Sequence, residues 1–470
     1  MCGYMDGLFI NSKSAMIAPD ALDSESSWDS MLFLRSQARF LFVAANSRSV
    51  GMSSEVFEGQ RASVGLPDGQ EGSFYRGSSI SPFALNPTAL QWSALGVRDR
   101  VAVQPGDIVL KRLSPMAAAI VPPSLPSQPV DSNFLIIRGL SQPQAWWLSY
   151  ALNYPPCADN LLSKSGRGIL NRVSLSVMRD WPLPQPPSDF ARLARRLSDL
   201  LQKRAFLAGQ IAALEAEVET AVAEQMAATA YDEAEQRFAQ LSWSFFFPPA
   251  LMEDSWLPAH LSSAYRAAVL RRDRDWQPLF SYLLPGSPSR NRFSGMDDPI
   301  PVLRLSDISD VPLVPSSLEP AVPLQTNRVF RDPIQPEDVL LSTLGSNPRV
   351  AFALSSPQPP VYAVDHWERL RFRAHAAAFA LILQTGAVAR QLRSLARGSI
   401  QQFVRSEDIH RMFLPVLPDE ILAQWDRSFR SLSRSWLQTD SEWHAALQEG
   451  WQAFFHAYDL PAPDSSTRRS

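Results

Sequence analysis

A chain of 470 residues exceeds one ordinary core, so two or three domains are expected. With 45% hydrophobic and 19% charged residues it reads as globular, and its two cysteines, Cys2 and Cys157, exclude a disulfide framework and a four-ligand zinc site. The formal net charge of −3 argues against an indiscriminate nucleic-acid binder, whose footprint is usually strongly basic.

Taken in chain order, Asp6 precedes any basic residue, which is not a signal-peptide layout, so a cytoplasmic protein is expected. Asp20–Ser30 reads as a flexible loop. Met31–Ala45 is apolar but interrupted by Arg35 and Arg39, and no stretch reaches membrane-spanning length. Short β-type runs follow at Asp107–Lys111 and Phe134–Arg138, then a short helix around Ala145–Leu152. Asn153-Tyr154-Pro155-Pro156-Cys157 superficially resembles an adenine-methyltransferase motif. Tyr154 separates the asparagine from the prolines, and no glycine-rich cofactor loop lies upstream, so a turn is expected. In Ser163-Lys164-Ser165-Gly166-Arg167-Gly168, with Arg172 beyond, small residues admit a close backbone approach while the cations neutralise phosphates.

The 39 prolines almost vanish between residues 188 and 247. Pro186, Pro187, Ser188 and Asp189 mark a helix start. Behind them Phe190, Leu193, Leu197, Leu200, Arg204, Leu207, Ile211, Leu214, Val218 and Ala221 keep a strict three-four alternation, with only Arg204 out of character. Such a repeat specifies a coiled-coil seam rather than a surface helix. Pro285–Pro301 reads as another loop. A second helix follows Pro418, with Leu422, Trp425, Phe429, Leu432, Trp436, Trp443 and Ala446 in the same alternation and Thr439 as its weak position. It reads as tryptophan-rich and shorter, and the tail from Pro461 as flexible.

The second half of the chain echoes the first. Gln104–Leu110 (QPGDIVL) recurs as Gln335–Leu341 (QPEDVLL), an offset of 231 residues, and Val173–Pro184 matches Val404–Pro415 at the same offset. Arg167-Gly168 pairs with Arg397-Gly398, one residue out of phase, so the counterpart of the basic turn is Arg393–Gly398 with Arg405 beyond. Leu148 and Leu152 fall on Phe379 and Leu383, within a second short helix at Ala374–Leu383. Four matches in order read as a diverged tandem duplication. The second helix can pair with the first over its length only by running back antiparallel, which places two domains at opposite ends of a strut. A helix of some 40 residues spans roughly 60 Å. Early arginines and late carboxylates on each helix (Arg196 and Glu217; Arg430 and Glu449) would then face one another.

Catalytic signatures are missing. The residues two before Lys13, Lys111, Lys164 and Lys203 are Asn11, Val109, Leu162 and Leu201, so the acidic-x-Lys nuclease pattern is absent. Neither His-Glu-x-x-His, nor a phosphate loop, nor Gly-x-Ser-x-Gly occurs.

The Gln-Pro-Gly-Asp-Ile-Val-Leu strand, the Arg-Gly turn and the Val-Ser-Leu…Trp-Pro-Leu-Pro exit into a leucine-periodic helix, each present twice, resemble the specificity subunits of type I restriction–modification enzymes. The resemblance implies an α+β fold: two pseudo-repeated α/β target-recognition domains separated by a pair of long antiparallel coiled-coil helices. The corresponding segments are 1–186 and 242–417 for the domains, 187–241 and 418–460 for the spacer helices, and 461–470 for the tail. It implies a non-catalytic, DNA-reading subunit in phage defence. Each domain would read half of a bipartite site, and the helices would dock DNA adenine methyltransferase subunits. Those partners, with a restriction/translocase subunit, would bring S-adenosylmethionine and ATP/Mg. Candidate DNA contacts are Arg138, Lys164, Arg167, Arg172, Arg393, Arg397 and Arg405. The alternative from another class is a coiled-coil scaffold whose flanking domains bind protein.

Overall fold

The computed structural model describes residues 48–59, 71–74, 80–85, 91–94, 102–125, 127–164, 172–226, 276–285, 301–308, 311–314, 332–344, 349–364, 366–396, 402–410 and 412–460. The loops expected at Asp20–Ser30 and, for the most part, Pro285–Pro301, and the tail from Pro461, lie outside them. In chain order the first elements are α1 (Val50–Ser53), β1 (Glu55–Glu58), β2 (Glu71–Phe74), β3 (Ile80–Ser81), β4 (Ala84–Leu85), β5 (Gln91–Ala94), β6 (Ile108–Lys111), β7 (Ala117–Ile120) and β8 (Phe134–Arg138). Helices α2 (Gln142–Asn153), α3 (Pro155–Lys164), α4 (Leu175–Asp180) and the long α5 (Phe190–Met226) follow. Then come β9 (Trp276–Pro278), β10 (Val302–Leu303), β11 (Asp338–Ser342), β12 (Val350–Phe352), β13 (Tyr362–Ala363), β14 (Trp367–Arg371), α6 (Ala376–Ile382), α7 (Gly386–Leu395), α8 (Ser406–His410), β15 (Phe413–Pro415) and α9 (Asp419–Tyr458).

Two compact units share these elements. The first comprises 1–206 with 439–470, and the second 207–438, so α5 and α9 each give one half to each unit.

In the first unit an antiparallel sheet has the order β1-β8-β6-β7. Both of its faces are covered. Ile108, Leu110, Leu135 and Ile137 join the core under α2, while Val109, Phe134 and Ile136 pack with Val103, Val121 and Leu125. Covering on both faces explains why the strands read as unbroken apolar runs instead of alternating. Ser141 caps α2 in a capping box with Gln144, and Pro143 sits in its first turn. The Asn-Tyr-Pro-Pro segment is the junction of α2 and α3. Asn153 there bonds both backbone groups of Ala118 on β7 (Nδ2 to O 2.8 Å, N to Oδ1 2.9 Å), so its amide is committed to the fold.

The half of α9 in this unit is loaded with aromatics because it covers α2. Trp147 stacks edge-on to Phe190 at 4.6 Å and donates its indole N–H to Tyr458 Oη at 2.9 Å. Trp146 meets Trp443 at 5.7 Å and donates to Ser198 Oγ at 2.8 Å. Against the early part of α5, the ion pairs Arg196–Glu449 (2.9 Å) and Arg204–Asp440 (2.8 Å) run in opposite sequence directions, which is antiparallel contact. Arg204, the odd member of the leucine pattern, is the better buried of the two arginines, and its guanidinium lies 5.2 Å from the Trp443 ring centroid.

In the second unit the antiparallel sheet is β12-β11-β14, with β9 pairing β15 and β10 pairing β13 in parallel. Val339, Leu341, Phe352 and Leu370 pack under α6 and α7. Of the named positions of α5, Leu193, Leu197 and Leu200 in the first unit and Leu207, Ile211, Leu214 and Val218 in the second are buried, while Arg204 and Ala221 are half-buried. On α9, Leu422, Trp425 and Phe429 are buried, but Leu432 and Trp436 are only half-buried; Ser433, outside the alternation, is fully buried, as is Thr439, its weak position. Two successive steps of four, from 425 to 429 to 433, turn the buried face by one residue at that point. The second helix runs 40 residues, and 37 residues of the first are described.

The opposed charge blocks meet in the first unit. In the second, Glu217 accepts the Trp425 indole N–H at 2.9 Å, and Glu219 accepts the Gly386 N–H at 2.7 Å. Arg430 turns to Glu337 and Asp426 instead.

Candidate nucleic-acid interface

Gln104-Pro105-Gly106-Asp107 is a tight turn built for its residues. Proline precedes Gly106, whose φ is +84°, and Asp107 N–H donates to Gln104 O at 3.0 Å. Asp107 Oδ2 accepts the Gln104 N–H at 2.7 Å and the Arg138 Nη2 at 2.7 Å, while Oδ1 takes Arg138 Nε at 2.9 Å. The same turn stands 231 residues on. Asp338 N–H donates to Gln335 O at 3.2 Å, its Oδ2 accepts Gln335 N–H at 2.8 Å, and its Oδ1 takes Arg371 Nε at 2.7 Å. Arg369, buried, adds a second ion pair to Asp338. Asp107 and Asp338 are both buried. Sequence reading took these stretches as strands and missed the paired acid. Its signal was an aspartate kept at the same place in both copies, beside an otherwise apolar run.

Equivalent hydrogen bonds continue outward at the same offset. Val173 N–H donates to Arg112 O at 3.1 Å, and Val404 N–H to Thr343 O at 2.8 Å. The isolated bridges Leu113 to Arg172 and Leu344 to Phe403 correspond as well. Each strand system therefore delivers the chain through the segment that carries the basic candidates into a short helix, α4 or α8, and on to a long one.

The candidates themselves fall into three groups. Arg138 is committed to Asp107 and to Ala102 O (2.8 Å), and the Asp107 bond holds its guanidinium above the ordinary value despite partial burial. Arg172 shares Glu58 with the buried Arg112, at 3.3 Å in its own case. Burial pushes the Glu58 carboxyl up, but the Arg112 bond and the two positive charges outweigh it and hold the group below its usual range. Lys164, on the last turn of α3, lies 5.3 Å from the Trp181 ring centroid, and desolvation lowers its ammonium from the ordinary value. Arg393, in the last turn of α7, and Arg405, just before α8, are exposed. Arg167 and Arg397 lie outside the described residues. The structure brings Arg172 together with Arg112 and Glu58 and engages Arg138 internally, leaving Lys164, Arg393 and Arg405 as outward cations among the described candidates.

Among the described residues, no group of three or more His, Cys, Asp or Glu side chains is placed to hold a metal ion, and no helix is long and apolar enough to cross a membrane. In the second unit an open groove of about 620 Å³ lies between the long helices, lined by Gln210, Leu214, Glu217, Arg427, Ser431 and Leu432 among others.

No family model matches the chain, and no curated protein matches it. Solved structures similar to it are S (HsdS) subunits of type I restriction–modification systems. One is the S subunit from M. genitalium, at 11% identity over 89% of this chain and 96% of that one, with a TM-score of 0.39. Another, from a structure addressing complex assembly and conformational transition of the type I R-M system, shares 15% identity over 87% and 96%, with a TM-score of 0.25. The HsdS subunit from Thermoanaerobacter tengcongensis shares 14% over 87% and 94%, with a TM-score of 0.23.

Proposed function

We propose that the chain is a DNA-specificity subunit whose two units descend from a tandem duplication and each read one part of a bipartite duplex site. The observation that carries this reading is the aspartate-anchored turn, built twice with the same hydrogen bonds and followed each time by a basic segment and a long helix. A duplicated plan of that kind suits a target with two separated parts. The paired long helices, a coiled-coil strut in this reading, set their spacing. Exposed arginines supply phosphate register, and bidentate contacts to base edges are each worth roughly 1–3 kcal/mol of discrimination. The chemistry belongs to partners: adenine methyltransferase subunits docked on the helices with S-adenosylmethionine and, for restriction, a subunit using ATP and Mg.

The test is selection by the full chain from a pool of randomised duplexes, at two salt concentrations. Enrichment of two short motifs at fixed spacing, with affinity falling as salt rises, is the expected result. Binding without sequence preference or salt dependence would falsify it. The net charge of −3 favours the protein-binding scaffold as second reading, and that reading predicts no enriched motif.

A further inference from the structure

The second unit departs from the first at one position of the turn. Where the first has Gly106, the second has Glu337, a side-chain-bearing residue at φ +70°, in the left-handed region that favours glycine. Gly106 takes its φ of +84° without a side chain to strain, and open space surrounds it, so that turn calls for no compensating contact. At Glu337 the carboxylate is gripped by both terminal nitrogens of Arg430 on α9. The same guanidinium also holds Asp426, one helical turn earlier, through Nε (2.5 Å) and Nη2 (3.1 Å), and lies 5.5 Å from the Phe352 ring centroid. These bonds raise the Arg430 guanidinium above its ordinary value, with the Glu337 bond the largest cause. Asp426 Oδ1, so held, accepts the Ala377 N–H at 3.0 Å in the first turn of α6. A single side chain therefore ties the sheet's turn, α9 and α6 together. Glu219 does the corresponding service for α7 by capping Gly386, so carboxylates from both long helices sit at the N-terminal ends of the two short ones.

We infer that Arg430 is a positioning residue: it fixes the second unit's sheet and α6 on the long helix and thereby sets how that unit meets DNA. This rests on the DNA-reading function proposed above. The double grip of Arg430 offsets the strain of a glutamate at a backbone conformation that its counterpart meets with glycine. The fork geometry matters because a planar guanidinium can make paired contacts to two carboxylates at once, whereas an ammonium has three donors on one atom and no such fork.

The experiment compares the full chain with Arg430→Met, Arg430→Lys and Glu337→Gly. Glu337→Gly relaxes the turn and keeps the Arg430–Asp426 pair, so it remains informative if Arg430→Met fails to fold. Two readouts are taken on each. Amide exchange at Ala377 and at Ile334, Gln335, Glu337 and Asp338 is expected to quicken at least tenfold in Arg430→Met, and at the turn residues alone in Glu337→Gly. Arg430→Lys should restore less than half of the protection. Selection from randomised duplexes is expected to keep one motif unchanged in Arg430→Met and Glu337→Gly while the other loses information. If wild type selects a bipartite motif and both of those variants select it equally well, the inference is overturned and the DNA reading stands. If wild type selects nothing, the DNA reading is overturned, and the inference with it, whatever the exchange data show.

Discussion

Tyr150 occupies the space that a β-carbon at residue 450 would need: built on Gly450, such an atom would lie 2.0 Å from the phenol oxygen and 2.3 Å from Cζ. The ring cannot yield. It lies 4.8 Å from Phe83 and 4.9 Å from Trp451, its hydroxyl donates to Leu447 O at 3.2 Å, and burial raises its ionisation far above the ordinary value. Gly450→Ala is therefore expected to destabilise the first unit by about 1–3 kcal/mol, although alanine is the better helix former. Gly209 is the control, since nothing lies within 4 Å of its absent side chain. Gly209→Ala should stabilise by about 0.5–1 kcal/mol. Thermal unfolding of the two variants is expected to shift in opposite directions, and a shift in the same direction would contradict this account.

Asp338 and Asp107 anchor equivalent turns with unequal burdens. Asp338 compensates two arginines, one of them buried, while Asp107 answers to Arg138 alone, which is 22% exposed. Asp338→Ala strands a buried cation and is expected to cost about 3–5 kcal/mol. Asp107→Ala should cost on the order of 1–3 kcal/mol. Urea unfolding followed by amide exchange in each sheet ranks them, and an equal or reversed order would contradict the assignment.

Arg204, Asp440 and His444 make the first unit's helix contact sensitive to pH. The Asp440 bond raises His444 above its ordinary 6.5, outweighing partial burial and the Arg204 charge. Burial pushes Asp440 up from 3.8, but His444 and Arg204 together bring it below that value. A raised histidine contributes stability that is complete below 6.5 and fades as pH rises through its folded value. A depressed carboxylate contributes above 3.8 and is lost as pH falls through its folded value. Both act between those limits. The Tm gap between wild type and His444→Gln should accordingly be wider near pH 6 than near pH 8.5, where an ordinary histidine is neutral.

Arg393 and Arg405, exposed at the ends of short helical segments, are expected to act as phosphate contacts. Changing either to alanine should weaken DNA binding uniformly across sequences and reduce the salt slope by about one. Arg138→Ala should instead lower stability, because its guanidinium already has partners inside the fold. Salt titrations of the three variants separate the two behaviours.

How much of this was legible depended on the length scale of the interaction. Helix starts at Phe190 and Asp419 followed from proline and capping chemistry, because those signals are local. The repeat at 231 residues was legible because apolar strands and the QPxD turn constrain the same positions twice. The role of Asp107 was not, since its partner lies 31 residues away on another strand. Charge blocks on the helices suggested mutual pairing, yet Glu217 and Glu219 found an indole and a helix end closer at hand. The buried Ser433 escaped because an alternation of leucines cannot show where a helix face drifts by one residue.

The division of the long helices between units sets an order of completion during synthesis. The second unit is a continuous stretch, 207–438, whereas the first needs the later half of α9 to close. On a ribosome, every residue of the second unit is therefore made before the first can finish. Until Trp443, Phe454 and Tyr458 arrive, Trp146, Trp147 and Phe190 lack their aromatic cover. A nascent chain halted at 438 would leave those rings exposed to chaperones and proteases while the second unit is already complete in sequence.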